Sequence, residues 1–280
     1  MTPQFQTPIY TKNLITDTKK ALPSFYHWVA IVSAVLLLQF LSPLDESWLK
    51  SGIMPHRFLS PEVLTFFNQS VFEGGWIGFT DIPTFLAIIS LVYGIYFKAK
   101  HQPIPIWLKI LLFYCLTVAT LGVHVPKKII GRARPYLVSE NKNLFSAWSD
   151  WGHLKPWGEI SGSGSFPSGH TANAFLLVGF IIIMWRYSQI NYSKKIWILG
   201  MSISVSGVIL TGWSRIQSLA HWPTDVIAAG ALNAIYLYVI CSSMKPTSNL
   251  SVGEPIPPFK SLYFRMVCLF LGFLFLSKFI

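Results

Sequence analysis

The sequence predicts an all-α fold, a polytopic bundle of membrane-spanning helices that forms one unit. Hydrophobic residues make up 52% of the 280-residue chain and charged residues only 12%, whereas soluble domains carry about 25% charged residues. The apolar residues are gathered in runs long enough to cross a bilayer, since about 20 residues span its hydrocarbon core. No polar linker separates these runs, so we expect a single membrane domain.

The chain divides into a polar N-terminal tail, a helical membrane domain and a C-terminal segment. Residues 1–24 predict a cytoplasmic tail, and residues 25–242 predict the membrane domain. Six spans are predicted in this domain, at about 25–42, 79–97, 106–126, 170–187, 196–213 and 224–242. Residues 243–280 follow as a proline-containing loop, 243–260, and a shorter apolar run, 263–277, which is either a seventh span or an interfacial helix.

The formal net charge of +11 does not indicate a nucleic-acid-binding protein. The basic residues lie in short clusters between the apolar runs and not along one soluble face. The three cysteines form neither a disulfide framework nor a closely spaced metal-binding pair. With the N-terminus in the cytoplasm, the outer side carries few basic residues apart from one group at the span ends, which agrees with the positive-inside rule.

Three polar clusters interrupt the apolar runs, and an up-down arrangement of the spans brings all three to the same membrane face. They are KKIIGRARP at 127–135, FPSGH at 166–170 and SRIQSLAHWPTD at 214–225. Each has a structural explanation by itself: basic residues at span ends anchor helices, a serine before glycine starts a helix, and a histidine beside tryptophan suits an interface. Together on one face, they indicate a shared site.

Two histidines and one carboxylate in these clusters allow two kinds of chemistry. Such a set can ligate a metal ion, or histidine can act as nucleophile and as acid in phosphoryl transfer. The neighbours Lys127, Arg134 and Arg215 would repel a divalent cation, whereas they match the oxygens of a phosphate group. Backbone N–H groups of Ser168 and Gly169, at a predicted helix N-terminus, add donors for an anion. We therefore predict phosphoryl transfer, with no metal ion and no cofactor.

The pattern K-x6-RP, PSGH and SR-x5-H-x3-D resembles the signature of the type 2 phosphatidic acid phosphatase (PAP2) superfamily. It runs from Lys127 to Asp225 without a departure from the family motif. The resemblance implies a six-span core of the integral membrane lipid phosphatase branch and a role for each matching residue. By this resemblance the nucleophile is His221, the acid and base is His170, the residue that orients the nucleophile is Asp225, and the phosphate ligands are Lys127, Arg134, Ser168, Gly169 and Arg215.

The resemblance also implies an activity and a lipid partner. It implies hydrolysis of a phosphomonoester or diphosphate on a membrane lipid, such as phosphatidic acid, phosphatidylglycerol phosphate, undecaprenyl diphosphate or lipid A, through a phosphohistidine. The expected location is the bacterial inner membrane, with the site on the periplasmic face. The alternatives are a lipid phosphotransferase that uses the same histidine, a vanadate-dependent haloperoxidase, and a non-catalytic transporter or scaffold. The predicted spans disfavour the haloperoxidase, which is soluble, and the complete motif disfavours the scaffold.

Several residues near the signature are not part of it. Lys128 is interpreted as a spare membrane anchor, Arg132 as a contact to the substrate, and His124 as a hydrogen-bonded structural residue. The insert at 136–166 is interpreted as a lid or interfacial loop that selects the headgroup, with a passive loop as the alternative. It contains Trp148, Trp151 and Trp157, and tryptophan is enriched in the headgroup zone of membranes.

Overall fold

In the computed structural model, the described residues are 22–50, 82–150, 164–188, 193–244 and 259–279. Within these ranges the chain consists of helices and turns, without an extended strand, so the all-α prediction is confirmed there. The helices are α1 (Phe25–Lys50), α2 (Ile82–Ala99), α3 (Ile106–Ile130), α4 (Pro135–Glu140), α5 (Gly169–Tyr187), α6 (Lys194–Gln217), α7 (Pro223–Ser243) and α8 (Phe259–Phe279). The predicted tail up to residue 21 and the predicted loop at 245–258 lie outside the described residues.

Six of these helices are long and apolar enough to cross a membrane: α1, α3, α5, α6, α7 and α8. The C-terminal run at 263–277 lies within a 21-residue helix that has the length and composition of a span. The predicted span at 79–97 falls largely on α2, whose described apolar part is shorter, Ile88–Ala99. The chain is therefore an integral membrane protein, and α8 belongs to its set of candidate spans.

Helix α1 continues beyond residue 42, the predicted end of the first span, and includes Pro43. A proline inside a helix removes a backbone hydrogen bond and clashes with the carbonyl group one turn earlier, and the first predicted span ended just before this residue. The helix nevertheless extends to Lys50. As a result, Asp45 lies on a helix that packs against α7 and is fully buried.

Helix α3 contains a π-helical segment, Val118–His124, between two α-helical parts. Such segments are frequent at functional sites, and here the segment ends three residues before Lys127. The helix ends at Gly131, which adopts a left-handed conformation with φ 60°. Glycine takes this conformation without a Cβ penalty, and the turn redirects the chain towards Arg132 and Arg134.

The bundle is built around α5, which packs against α3, α6 and α7, while α1 and α8 pack against each other and against α7. One close approach depends on glycine. A Cβ atom on Gly179 of α5 would lie 2.1 Å from a ring carbon of Tyr114 on α3, a distance that no side chain tolerates. The absence of a side chain at Gly179 therefore allows α3 and α5 to come together near the middle of the bundle.

The C-terminal helix reaches the loop that precedes α5 through stacked aromatic rings. The Trp148 ring lies 5.6 Å from the ring of Phe166, with an interplanar angle of 17°, and 5.6 Å from the ring of Phe273 on α8. Trp148 is fully buried and packs against other aromatic rings of the protein. The sequence had instead suggested a position in the headgroup zone. Trp151 and Trp157 lie outside the described residues.

Candidate active site

The three predicted clusters meet at one end of the bundle. The backbone N–H of Ser168 donates a hydrogen bond to the carbonyl oxygen of Asp225 at 3.0 Å. The rings of His170 and His221 lie 6.3 Å apart, centre to centre. The Lys127 Nζ atom lies 3.6 Å from the position that a Cβ atom on Gly169 would occupy. Residues more than 90 positions apart in sequence are thus brought together by the ends of α3, α5, α6 and α7.

The turn between α6 and α7 fixes the position of His221. Helix α6 ends at Gln217, and Leu219 adopts a left-handed conformation with φ 56°. The N–H groups of Ala220 and His221 both donate to the carbonyl oxygen of Arg215, each at 3.2 Å. These bonds fold the turn back onto the last turn of α6, so that His221 is buried, with 1% of its surface exposed.

Asp225 lies in the first turn of α7, where it caps the helix and faces His221. Its Oδ2 atom accepts a hydrogen bond from the backbone N–H of Trp222 at 2.9 Å, as in a capping box. The same oxygen lies 3.6 Å from Nδ1 of His221. This distance is longer than a hydrogen bond but short enough for strong electrostatic attraction. The nitrogen that faces Asp225 is therefore Nδ1, and Nε2 is directed away from the carboxylate.

The electrostatics of the site keep His221 neutral. Burial lowers the pKa of His221 to about 3. Interaction with Asp225 opposes this shift, while the positive charges of Lys127 and Arg215 add to it. Among the described residues, Nε2 of His221 has no hydrogen-bond partner. At neutral pH the ring is thus an uncharged imidazole whose second nitrogen is available to bind an electrophile.

The start of α5 supplies polar groups next to the histidines. Ser168 is the N-terminal cap of α5, and its Oγ accepts from the Thr171 hydroxyl at 2.9 Å and from the Thr171 N–H at 3.4 Å. A serine hydroxyl has one proton of its own to donate, so Ser168 can still bind an acceptor. Gly169 and His170 follow in the first turn and are half-buried. The Ser168 N–H, which the sequence suggested as an anion donor, is bonded to the carbonyl oxygen of Asp225, and the helix N-terminus contributes a dipole that favours an anion.

Three cations lie at the site, and two of them, Lys127 and Arg215, act on His221. Lys127 lies in the last turn of α3 and Arg215 in the last turn of α6, while Arg134 precedes α4. Arg134 and Arg215 lie close enough to repel the ammonium group of Lys127. In the described part of the chain, the buried Nε of Arg134 has no hydrogen-bond partner. Such a group of like charges is suited to an anion with several oxygens.

Arg132 occupies a different position from the one that the sequence suggested. It is fully buried and donates four hydrogen bonds to protein groups, so it contacts residues that support the site. The acceptors are Ser146 O at 2.9 Å from Nε, Thr224 Oγ1 and Asp225 Oδ1 each at 2.9 Å from Nη1, and Asp45 Oδ2 at 3.0 Å from Nη2. The guanidinium carbon also lies 5.1 Å from the centre of the Trp222 ring, within the range of a cation–π contact.

Asp45 and Thr224 belong to this buried network, and neither residue was predicted from the sequence to support the site. Asp45 accepts hydrogen bonds from the backbone N–H of Thr224 at 3.3 Å and from the Thr224 hydroxyl. A signal was present, since Asp45 is one of two adjacent acids in a helix with the length and composition of a span, and ionisable residues within spans are costly. The predicted end of the first span before Pro43 concealed it. By contrast, His124 and Lys128 are exposed.

The described residues contain no group of three or more histidine, cysteine, aspartate or glutamate side chains placed to hold a metal ion. In the sequence, a two-histidine and one-carboxylate set was the alternative to phosphoryl transfer. Asp225 instead uses both oxygens within the protein: Oδ1 binds Arg132, and Oδ2 binds the Trp222 N–H and faces His221. The arrangement can hold an oxyanion between the cations and the neutral imidazole.

The chain is similar to two lipid phosphatases. A lipid A 1-phosphatase of Rhizobium johnstonii is 29% identical over 180 residues, which cover 62% of this chain and 62% of that protein. A probable diacylglycerol pyrophosphate phosphatase 1 of Schizosaccharomyces pombe is 26% identical over 188 residues, which cover 59% of this chain and 66% of that protein. The matched part thus spans less than two thirds of the length of either relative. No solved structure matches the chain.

The model of the PAP2 superfamily matches residues 108–249, which is just over half of the chain. This range contains all three clusters of the site, from Lys127 to Asp225, and the four helix ends that carry them. Helices α1 and α8 lie outside it. The match confirms the resemblance inferred from the motifs: the chain belongs to the PAP2 superfamily.

Proposed function

We propose that this protein is a membrane lipid phosphatase that hydrolyses a phosphomonoester or diphosphate through a phosphohistidine on His221. The observation that carries the proposal is a buried, neutral imidazole whose Nδ1 faces Asp225 and which lies beside three cations. This is the arrangement that a histidine nucleophile requires, because Asp225 holds the proton on Nδ1 and leaves a lone pair on Nε2. The names of the two similar proteins support a lipid phosphate as the substrate.

In the first step, Nε2 of His221 attacks phosphorus, and the bond from phosphorus to the lipid oxygen breaks. The protonated form of His170 gives its proton to that leaving oxygen. In the second step, neutral His170 takes a proton from water, the water oxygen attacks phosphorus, and the N–P bond breaks to release phosphate. The rings of the two histidines lie 6.3 Å apart, centre to centre, so both can act on the same phosphoryl group.

The cations and the start of α5 stabilise the charge that develops on the phosphoryl oxygens. Lys127, Arg134 and Arg215 supply positive charge, and the Ser168 hydroxyl and the Gly169 N–H supply hydrogen bonds. Because these groups belong to rigid helix ends, they are already in position before the reaction. Three side-chain cations also supply the charge stabilisation that a metal ion provides in other phosphatases.

A lipid substrate follows from the position of the site at the ends of candidate spans. There, a phosphorylated headgroup can reach His221 while its acyl or prenyl chains remain in the bilayer and enter sideways between helices. The candidate lipids are phosphatidic acid, phosphatidylglycerol phosphate, undecaprenyl diphosphate and lipid A. We place the site on the periplasmic face of a bacterial inner membrane, in agreement with the charges of the loops.

The test is phosphate release by the purified protein from a panel of lipid and water-soluble phosphates, in the presence of a chelator. We expect release from a lipid phosphate, loss of about 10²–10³ in rate for Arg215→Ala, and a larger loss for His221→Ala. His124→Ala is the matched control, because His124 is exposed on α3. Acid-labile, alkali-stable label on the wild-type protein identifies the phosphohistidine.

Three results would contradict the proposal. The first is activity that requires an added divalent metal ion, the second is a strong preference for soluble phosphates, and the third is full activity in His221→Ala. If radiolabel from the donor appears on an acceptor lipid instead of as free phosphate, the protein is a phosphotransferase that uses the same histidine.

A further inference from the structure

Helix α1, which lies outside the region matched by the family model, reaches the site through Asp45. We propose that Asp45 is a positioning residue for the Asp225–His221 pair and acts on it through Arg132. Asp45 holds the guanidinium in an orientation that leaves one oxygen of Asp225 for the histidine. This inference rests on the proposed function, because it assigns Asp45 a part in preparing the nucleophile.

Arg132 divides its donors between two carboxylates. Nη1 binds Oδ1 of Asp225 at 2.9 Å, and Nη2 binds Oδ2 of Asp45 at 3.0 Å. All three side chains have no exposed surface. Because Arg132 uses only one of its two terminal nitrogens on Asp225, the carboxylate keeps its Oδ2 atom for the Trp222 N–H and His221. The orientation of the carboxylate therefore depends on the second acceptor, Asp45.

Asp45 is also bonded to the start of α7. It accepts from the backbone N–H and the hydroxyl of Thr224, and the same hydroxyl accepts from Nη1 of Arg132 at 2.9 Å. The N–H groups in the first turn of a helix have no partner within the helix, and a carboxylate there is favourable. Asp45 thus binds the residue next to Asp225 as well as the arginine that binds Asp225.

Neutralising Asp45 would change how Arg132 binds. Asp225 would then be the only carboxylate bonded to Arg132, and guanidinium–carboxylate pairs prefer a bidentate geometry with two parallel hydrogen bonds. Formation of such a pair would draw Oδ2 of Asp225 towards Arg132 and away from Nδ1 of His221. The imidazole would lose the partner that keeps its proton on Nδ1, and Nε2 would become a weaker nucleophile.

The test compares Asp45→Asn with Glu46→Gln, an exposed acid at the next position of α1. For Asp45→Asn we expect kcat to fall by about 10–100-fold with little change in KM, a loss similar to that caused by removing groups that orient a functional histidine. In the double variant Asp45→Asn/Asp225→Asn, the change at position 45 should add little to the loss of kcat that Asp225→Asn causes alone. Glu46→Gln should leave kcat unchanged.

A second readout does not depend on activity. With 15N-labelled histidine, the imidazole signals of His221, identified by their absence in His221→Gln, should report a proton on Nδ1 in the wild type and shift in Asp45→Asn. Arg132→Lys keeps the charge but cannot bind both carboxylates in fork geometry, so it should cause a similar shift. It serves in place of Asp45→Asn if that variant does not fold.

The outcomes separate this inference from the proposed function. Unchanged imidazole signals, or losses in kcat that add fully to those of Asp225→Asn, would show that Asp45 does not act on the pair, and the inference would be wrong. If Asp45→Asn shifts the His221 signals but the wild-type protein releases no phosphate from any lipid, the positioning by Asp45 is supported and the phosphatase activity is refuted.

Discussion

The buried, neutral state of His221 makes the stability of this protein depend on pH in a defined direction. Burial lowers the pKa of His221 to about 3 from an ordinary value of 6.5, which the unfolded chain retains. Between these values the unfolded state binds a proton that the folded state does not. The free energy of unfolding should therefore fall as the pH drops below 6.5, by about 1.4 kcal/mol per pH unit. At about pH 4.5 the loss reaches about 2.7 kcal/mol.

The assay measures the free energy of unfolding in mixed detergent micelles. SDS titration unfolds the protein at a series of pH values between about pH 7.5 and about pH 4.5. His221→Gln removes the titrating group, so its stability should be less sensitive to acid than that of the wild type. The difference between wild type and variant should change by about 2.7 kcal/mol across this range, with the wild type losing more. His124→Gln controls for the loss of an exposed histidine.

A difference that stays constant with pH would refute the reasoning. A wild type that gains stability relative to His221→Gln on acidification would refute it more strongly. That result would mean that the folded protein binds a proton on His221 and pairs the imidazolium with Asp225. The histidine would then be a poor nucleophile at mildly acidic pH.

Two further substitutions test the packing around the site by thermal unfolding in detergent. Gly212→Ala should destabilise the protein by about 1–3 kcal/mol, because its Cβ would lie 2.5 Å from Val226 Cγ1, next to Asp225. At Gly207, on the same helix, a Cβ atom would have no other atom within 4 Å, so Gly207→Ala should be neutral or slightly stabilising. Equal losses of stability at the two positions would contradict this explanation. Phe273→Ala should cost about 3–5 kcal/mol because the ring is fully buried, whereas Phe275→Ala, at a side chain that is 61% exposed, should cost little. Similar unfolding temperatures for the two phenylalanine variants would show that α8 does not support the site.

The grouping of the polar residues at one end of the bundle was predictable because these residues contrast with their apolar surroundings. Histidines, a scarce carboxylate and arginines at the ends of apolar runs are costly unless they have a function. Their spacing placed them on helix ends, and an alternating direction of the spans then placed them on one membrane face. Lys127, His170 and His221 lie together in the structure, and periodicity and alternation predict such a grouping without knowledge of side-chain packing; their roles in binding and reaction stay predictions.

The residues that support the site were not predictable in the same way. The apolar run predicted that the first span ends at about residue 42, but α1 continues through Pro43 to Lys50, and this places Asp45 against α7. Trp148 suggested a headgroup contact by its type, but it is buried between Phe166 and Phe273. Both outcomes depend on which helices become neighbours, and spacing along the chain does not contain that information.

The buried network also explains how a carboxylate can lie beside three cations without neutralising them. Asp225 alone would form an ion pair with Lys127 or Arg215, and a phosphate group would have to compete with it. Arg132 instead binds one of its oxygens, and the Trp222 N–H binds the other.

The site therefore has two layers of charge. The buried layer contains Asp45, Arg132 and Asp225, with a formal charge of about −1, and the three cations around His221 form the second layer, with a formal charge of about +3. The two carboxylates find partners within the buried layer, since both bind Arg132. Position 132 is one of the unspecified positions in the K-x6-RP motif, yet its side chain separates the two layers.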